Sequence, residues 1–151
     1  MTTQICDTLF YNGKCYSLVG RGWHGLINPQ KMGLRPVSSC TACWRGYQAV
    51  YKLSGRRLML ENMRLTLGFE GDGEKPLQGP VINGVRPSGP EDEWDVFNCY
   101  YEGINHPVDF SGSLLAADDF TGASNRRPMF HEPWEYGKVI ELEFTNGILK
   151  E

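Results

Sequence analysis

The chain of 151 residues has no long hydrophobic run. No stretch approaches the roughly 20 consecutive apolar residues that a membrane-spanning helix needs. The N-terminus, MTTQICDTLFYNGKCYSL, lacks the basic region and apolar core of a secretory signal. A cytoplasmic location is therefore expected, with the thiols reduced. Cysteine is sparse and odd in number, at five, so a complete disulfide set would leave one thiol over. An excess of positive charge is also missing. The formal net charge is -3, so neither nucleic acid nor an anionic membrane is an expected partner. The pairs Arg56-Arg57 and Arg126-Arg127 read as solvated turns.

Motifs that announce chemistry are absent as well. There is no G-x-S-x-G elbow, no Walker loop and no G-x-G-x-x-G ahead of a helix. Only one Cys-x-x-Cys occurs, Cys40 to Cys43, whereas a structural zinc site takes about four ligands. Cys6 and Cys15 could complete a four-cysteine set, with His24 or Cys99 as substitutes, but the spacings match no common zinc knuckle. The favoured reading makes these cysteines small core or edge residues, with no cofactor. A thioredoxin-like role is disfavoured because Trp44-Arg45-Gly46-Tyr47 leads into a strand, not a helix. HEPWE, from His131 to Glu135, lacks the second histidine of a zincin, and Pro133 would break the helix that holds such ligands. Asp118-Asp119 reads as a solvated acidic pair.

Sustained helical periodicity is missing too. Only Pro90 to Phe97 and Leu114 to Phe120 suit short helices, and the second also suits a strand. Glycine, by contrast, is plentiful at 18, and hairpin signals recur. Thr8–Tyr11 and Lys14–Val19 flank Asn12-Gly13, the preferred pair for a type I′ turn. Tyr47–Leu53 and Arg57–Leu67 flank Ser54-Gly55. Pro107–Phe110 and Ser113–Ala117 flank Ser111-Gly112, and Val139–Phe144 and Ile148–Lys150 flank Thr145-Asn146-Gly147. LSGRRL, FSGSLL and FTNGIL share a form that good turn chemistry alone explains.

Alternation supports strands. Tyr47, Ala49, Tyr51 and Leu53 share one face. Leu58 and Leu60 have one parity, while Met63, Leu65 and Leu67 have the other, so a bulge near Glu61-Asn62 is predicted. Ile140, Leu142 and Phe144 point inward, with Glu141 and Glu143 outward. The expected fold is a single mainly β domain over 1–151, with antiparallel hairpins forming a sandwich or partly open barrel. The Gly- and Pro-rich segment 68–90 is a long loop within it, functional or mobile by the usual rule for such loops. Val81 to Val85 adds a hairpin signal inside it.

Binding candidates come from the aromatics and their neighbours. Trp23, Trp44, Trp94 and Trp134 sit beside glycine, proline, charge or turn signals. Trp, Tyr and Arg combine large area with a polar handle. Trp23, His24, Trp44, Arg45, Tyr47 and Trp134 are therefore the candidate contact residues, with Arg45 suited to a carboxylate or phosphate. For Trp44 a place in the core is preferred over ligand contact.

At WRGYQAVYKLSGRRLML, and again at FHEPWEYGKVIELEFTNG, the chain resembles small bacterial β-rich proteins in which a W-R-G-Y strand runs through a short polar turn into an apolar strand. The resemblance covers about half of the chain. It implies a compact accessory protein and assigns no catalytic residue. Together these features lead to the expectation of a non-enzymatic binding protein of bacterial or phage type. It would occupy a partner protein, as immunity proteins and anti-defence inhibitors do. The first alternative is a small-molecule or nucleotide binder with Trp23, His24, Arg45, Tyr47 and the 68–90 loop around its ligand. The second is a metal-dependent enzyme using His24, His106 or His131.

Overall fold

The computed structural model describes residues 3–21, 25–70, 75–76, 79–89, 95–121 and 130–150. Its strands are β1 (Thr8–Tyr11), β2 (Lys14–Val19), β3 (Tyr47–Ser54), β4 (Arg57–Leu65), β5 (Phe69–Glu70) and β6 (Lys75–Pro76). They continue with β7 (Cys99–Tyr101), β8 (His106–Pro107), β9 (Gly112–Phe120), β10 (Tyr136–Thr145) and β11 (Ile148–Leu149). Two short 3-10 turns, Pro29–Met32 and Pro133–Glu135, are the helical elements among the described residues. None of these is long and apolar enough to cross a membrane.

Following the pairings around the molecule gives β1-β2-β9-β10-β11-β4-β3 and back to β1, so the main sheet closes on itself. The β11–β4 seam is narrow: Ile148 faces Arg57, with Leu149 N to Arg56 O at 2.7 Å and Leu58 N to Gly147 O at 2.8 Å. Beyond that seam the same edge of β4 is covered by β8 and then β7. Closure and cover leave no long unpaired edge on β4, which limits edge-to-edge association.

The two Asn-Gly hairpins form as their chemistry demands. Asn12 and Gly13 lie at φ 51° and 75°, and Asn146 and Gly147 at 49° and 80°, the positive values that a type I′ turn requires. The second of these turns has two residues, since Thr145 pairs with Ile148. The β3–β4 turn falls at Gly55-Arg56, one residue later than expected, because Ser54 pairs with Arg57. Asn83-Gly84, at φ 50° and 80°, makes the tight turn predicted inside the long loop, with Ile82 bridging Val85. That loop also contains the β5–β6 pair.

The bulge is present. Val50 faces Asn62 and Tyr51 faces Leu60, so Glu61 is the extra residue. It returns Leu58, Leu60, Met63 and Leu65 to one interior face, all fully buried. They pack with Leu9, Tyr51, Tyr101, Leu114 and Phe144 in the barrel core. On β10, Leu142 and Phe144 are buried and Glu141 and Glu143 exposed, as the alternation predicts.

Three expectations are corrected. Pro107–Phe110 and Ser113–Ala117 do not form a hairpin: β8 pairs with β4, and β9 runs between β2 and β10. Local turn chemistry at Ser111-Gly112 yields here to long-range pairing. Leu114 to Phe120, which suited either a short helix or a strand ending at Ala117, is strand through to Phe120. The sheet is not wholly antiparallel either, because β1 and β3 are parallel, Leu9 beside Tyr51. Parallel neighbours need a crossover of about a dozen residues or more, which the 20–46 connection supplies. Of the helix expected over 90–97, residues 90–94 lie outside the described residues, and 95–97 are irregular.

Candidate functional site

The parallel β1–β3 pair begins with a side chain standing in for backbone. Asp7 Oδ1 accepts Ala49 N at 2.8 Å, one step ahead of the ladder. The same oxygen accepts Arg45 Nη2 in an ion pair, while Arg45 Nε donates to Tyr47 O at 3.0 Å. The side chains of Asp7 and Arg45 are 7% and 16% exposed, so the pair is largely desolvated. Burial works against the guanidinium charge, but the Asp7 charge and hydrogen bond outweigh it and hold the Arg45 pKa above its ordinary value. The Tyr47 ring lies beneath Arg45, 4.2 Å from guanidinium carbon to ring centroid.

The Cys40–Cys43 motif supports this arrangement as a tight turn, with Cys43 N to Cys40 O at 3.0 Å. Its carbonyls anchor the N-terminal segment. Ile5 N donates to Ala42 O at 2.7 Å, and Gln4 Nε2 donates to Thr41 O at 2.7 Å. Gln4 Oε1 accepts Trp44 N at 2.8 Å. Gly46 lies at φ 80°, and a Cβ there would fall 2.1 Å from Val37 O, so the close approach leaves room only for glycine.

Between this anchored segment and the start of β10 runs a narrow cleft with a cavity volume of about 40 Å³. Cys6, Asp7, Arg21, Arg45, His131 and Tyr136 give it polar walls, and Leu18, Leu26 and Phe130 contribute apolar ones. His131 is fixed from behind: its Nδ1 lies 3.1 Å from Glu135 Oε2, which also accepts Glu132 N at 2.8 Å. Glu135 is 1% exposed. The Glu132 amide, then His131, holds its carboxyl below the ordinary value, so it is anionic at neutral pH. The Phe120 ring packs on the imidazole at 4.4 Å between centroids.

Burial pushes the Cys6 thiol up, and the Asp7 charge adds to this, against the Ser17 hydrogen bond and the Arg45 charge. The sulfur therefore stays a thiol, a weak nucleophile. Tyr136 is likewise raised, by burial first and then by Cys6, and keeps its proton. Deeper in the barrel the Tyr51 hydroxyl is buried without a hydrogen bond of good geometry, and its pKa is far above normal because of burial and then Asp7.

The expected site residues are only partly gathered. Arg45 lines the cleft, but buried Tyr47 lines a shallower groove on the other side of Arg45, with Gly25 and Pro29. Trp44 is half exposed, at 49%, which corrects its expected place in the core: the turn that docks its amide on Gln4 leaves the ring outside. Trp134 is 72% exposed on the 3-10 turn beside Glu135. Trp23, His24 and Trp94 lie outside the described residues.

The four cysteines proposed as an alternative zinc set are not brought together. Cys15 is exposed on β2, Cys6 lines the cleft, and Cys40 and Cys43 belong to the turn. Among the described residues, no group of three or more His, Cys, Asp or Glu is placed to hold a metal. His106 is on β8, away from the His131 turn in the chain and paired to Leu60. Asp118 pairs with Lys14 at 2.5 Å.

Sequence reasoning did not single out Gln4, Asp7, Arg21 or Tyr136 as site residues. For Glu135 a signal existed, its spacing of four from His131, which here spans a 3-10 turn entered by Pro133. No protein-family model, curated protein or solved structure matches the chain.

Proposed function

We propose that this protein binds a small molecule in the cleft at the end of its barrel. The observation that carries this reading is the convergence of Arg21, Arg45, His131 and Tyr136 on one concave, partly apolar space. Pockets of this kind, a few oriented polar groups on an apolar background, are the usual form of ligand sites. Imidazole and guanidinium are both held in place by carboxylates before any ligand arrives. Such preorganisation lowers the ordering cost of binding. The protonated Cys6 thiol favours a binding role over nucleophilic chemistry at this sulfur.

Native mass spectrometry of protein isolated under non-denaturing conditions tests the proposal. A retained small molecule that is lost from an Arg21→Ala variant is expected. A bare mass, together with no thermal stabilisation by a metabolite extract, would overturn it.

A second reading, recognition of a partner protein, draws support from Trp44, Phe120 and Trp134. All three are large and exposed, at 49%, 51% and 72%. Trp44 is tied to Gln4 and Phe120 to His131, so both border the same end of the barrel. Aromatic anchors of this kind dominate many interfaces. A folded complex that Trp134→Ala and Trp44→Ala disrupt, with the cleft empty, would favour it.

A further inference from the structure

Closure of the sheet through β11 leaves part of β10 uncovered. β9 occupies one side of β10. On the other side β11 reaches only Phe144 and Thr145, and Lys150 N adds a bond to Glu143 O at 2.8 Å. Backbone groups of an antiparallel strand point alternately to its two sides, so those of Gly137, Val139 and Glu141 face the same way as Glu143. Among the described residues they have no backbone partner on that side. Gly137, Lys138, Val139 and Glu141 are all exposed, as a bare edge requires. Val139 is apolar and 37% exposed, on the face opposite buried Leu142 and Phe144.

We propose that this edge pairs with the same edge of a second copy of the chain, β10 against β10 about a two-fold axis. The register follows from the residues. Lys150 already occupies the edge at Glu143, so an incoming strand must stop opposite Leu142. Centring the axis on Val139 meets that limit: Tyr136 of one copy lies opposite Leu142 of the other, and Val139 faces Val139. Lys138 then stands beside Ile140, and Glu141 beside Gly137, so no two like charges face each other. Moving the axis to Lys138 opposes two lysines and shortens the ladder. Moving it to Ile140 drives Gly137 of the second copy against Lys150. Charges along an edge usually discourage pairing. Here they favour one register. About six backbone hydrogen bonds form, two at Val139 and two at each Gly137–Glu141 pair. One strand pair buries less than a standard interface of about 1,600 Å², so the dimer is weak and depends on concentration.

The test is sedimentation velocity on the intact protein from about 10 μM to about 1 mM, with amide exchange read by NMR at both ends of that range. The mass is expected to rise from the 17.1 kDa of one chain toward twice that value. The Val139 and Glu141 amides should be open at low concentration and protected at high. The Lys138 and Ile140 amides face β9 and should be protected at both. Val139→Lys sets two lysines on the axis and should weaken association at least about tenfold. Its thermal midpoint should not move, because the side chain is exposed. Val139→Thr, which keeps a strand-forming side chain without charge, should still dimerise. A monomer at the highest concentration overturns the proposal. So does a dimer that Val139→Lys leaves intact, or one in which the Val139 and Glu141 amides still exchange freely.

Discussion

Replacing Asp7 removes two interactions at once, and their separate costs can be worked from the structure. The carboxylate pairs with Arg45, whose side chain is 16% exposed, and accepts the amide of Ala49, which is fully buried. Asp7→Ala leaves a guanidinium without its counter-charge and an interior N–H without an acceptor. Breaking a buried ion pair by deleting one partner costs about 3–5 kcal/mol. An orphaned buried donor costs about 1–3 kcal/mol, and because both losses fall on one carboxylate the two figures overlap rather than add. A loss of about 3–5 kcal/mol is therefore expected. That is a large share of the ~5–15 kcal/mol that stabilises a typical domain. At ~2–4 °C per kcal/mol for a chain of this size, the thermal midpoint should fall by about 6–20 °C. Asp7→Asn keeps an acceptor for Ala49 and discards only the charge, so it should lose less than Asp7→Ala. The assay is urea denaturation at pH 7 with thermal unfolding alongside, on both variants and on Arg45→Met. A double-mutant cycle of Asp7→Ala with Arg45→Met should give a coupling above about 1 kcal/mol. A destabilisation of Asp7→Ala below about 1 kcal/mol would refute the view that this pair holds the start of the parallel ladder.

Four further outcomes are expected. Tyr51→Phe should be neutral or stabilising by up to about 1 kcal/mol in the same denaturation assay, because it deletes a buried hydroxyl without a good hydrogen bond. Gly46→Ala should cost far more than Gly55→Ala. Both have positive φ, but a Cβ at Gly46 strikes Val37 O at 2.1 Å, while nothing lies within 4 Å of one at Gly55; the Gly55 change should cost about 1 kcal/mol, and urea midpoints will rank them. Glu135 has a depressed pKa, so its contribution is present above the ordinary carboxyl value of 4.5 and is lost as pH falls through its lower folded value. Acid unfolding curves of wild type and Glu135→Gln should therefore converge below that pH, and a gap that widens on acidification would contradict this. Alkylation mapped by mass spectrometry should reach exposed Cys15 first, with Cys43 and Cys99, buried and pushed up by burial, reacting only on unfolding.

Much of the fold was legible because its rules are local. Asn12-Gly13 and Asn146-Gly147 need positive φ at both positions, and few other pairs accept it. The parity switch between Leu60 and Met63 could only be reconciled with one buried face by an extra residue, and Glu61 is that residue. What the sequence could not display was partner choice. Ser111-Gly112 looks like a hairpin turn, but Leu114 and Ala116 find their neighbours in β10 and β2, distant in the chain. The parallel β1–β3 pair was hidden for the same reason, since no short-range signal encodes a crossover of that length. Trp44 was misjudged because its large ring favours burial on average, whereas here the docking of its backbone amide on Gln4 leaves the residue half exposed.

The site was less legible than the fold because it depends on distances across the chain. Asp7 and Arg45 are 38 residues apart, and nothing in either neighbourhood names the other. Once the parallel ladder forms, however, their meeting is close to obligatory. Asp7 directly precedes β1, and Arg45 lies two residues before β3, so both side chains arrive at the same end of two adjacent parallel strands. A hairpin places the starts of its two strands at opposite ends; a parallel pair places them together. Among the described residues, the one pairing that departs from the antiparallel pattern is thus the one that gathers the carboxylate and the guanidinium. His131 and Glu135 come to that same end because β10 begins there, antiparallel to β9 and following directly on their 3-10 turn. Polar groups concentrate at this mouth for a physical reason: the barrel interior is filled by Leu9, Tyr51, Leu60, Met63 and Phe144, and leaves little room for charge. The apolar core and the polar cleft are therefore two consequences of one topology.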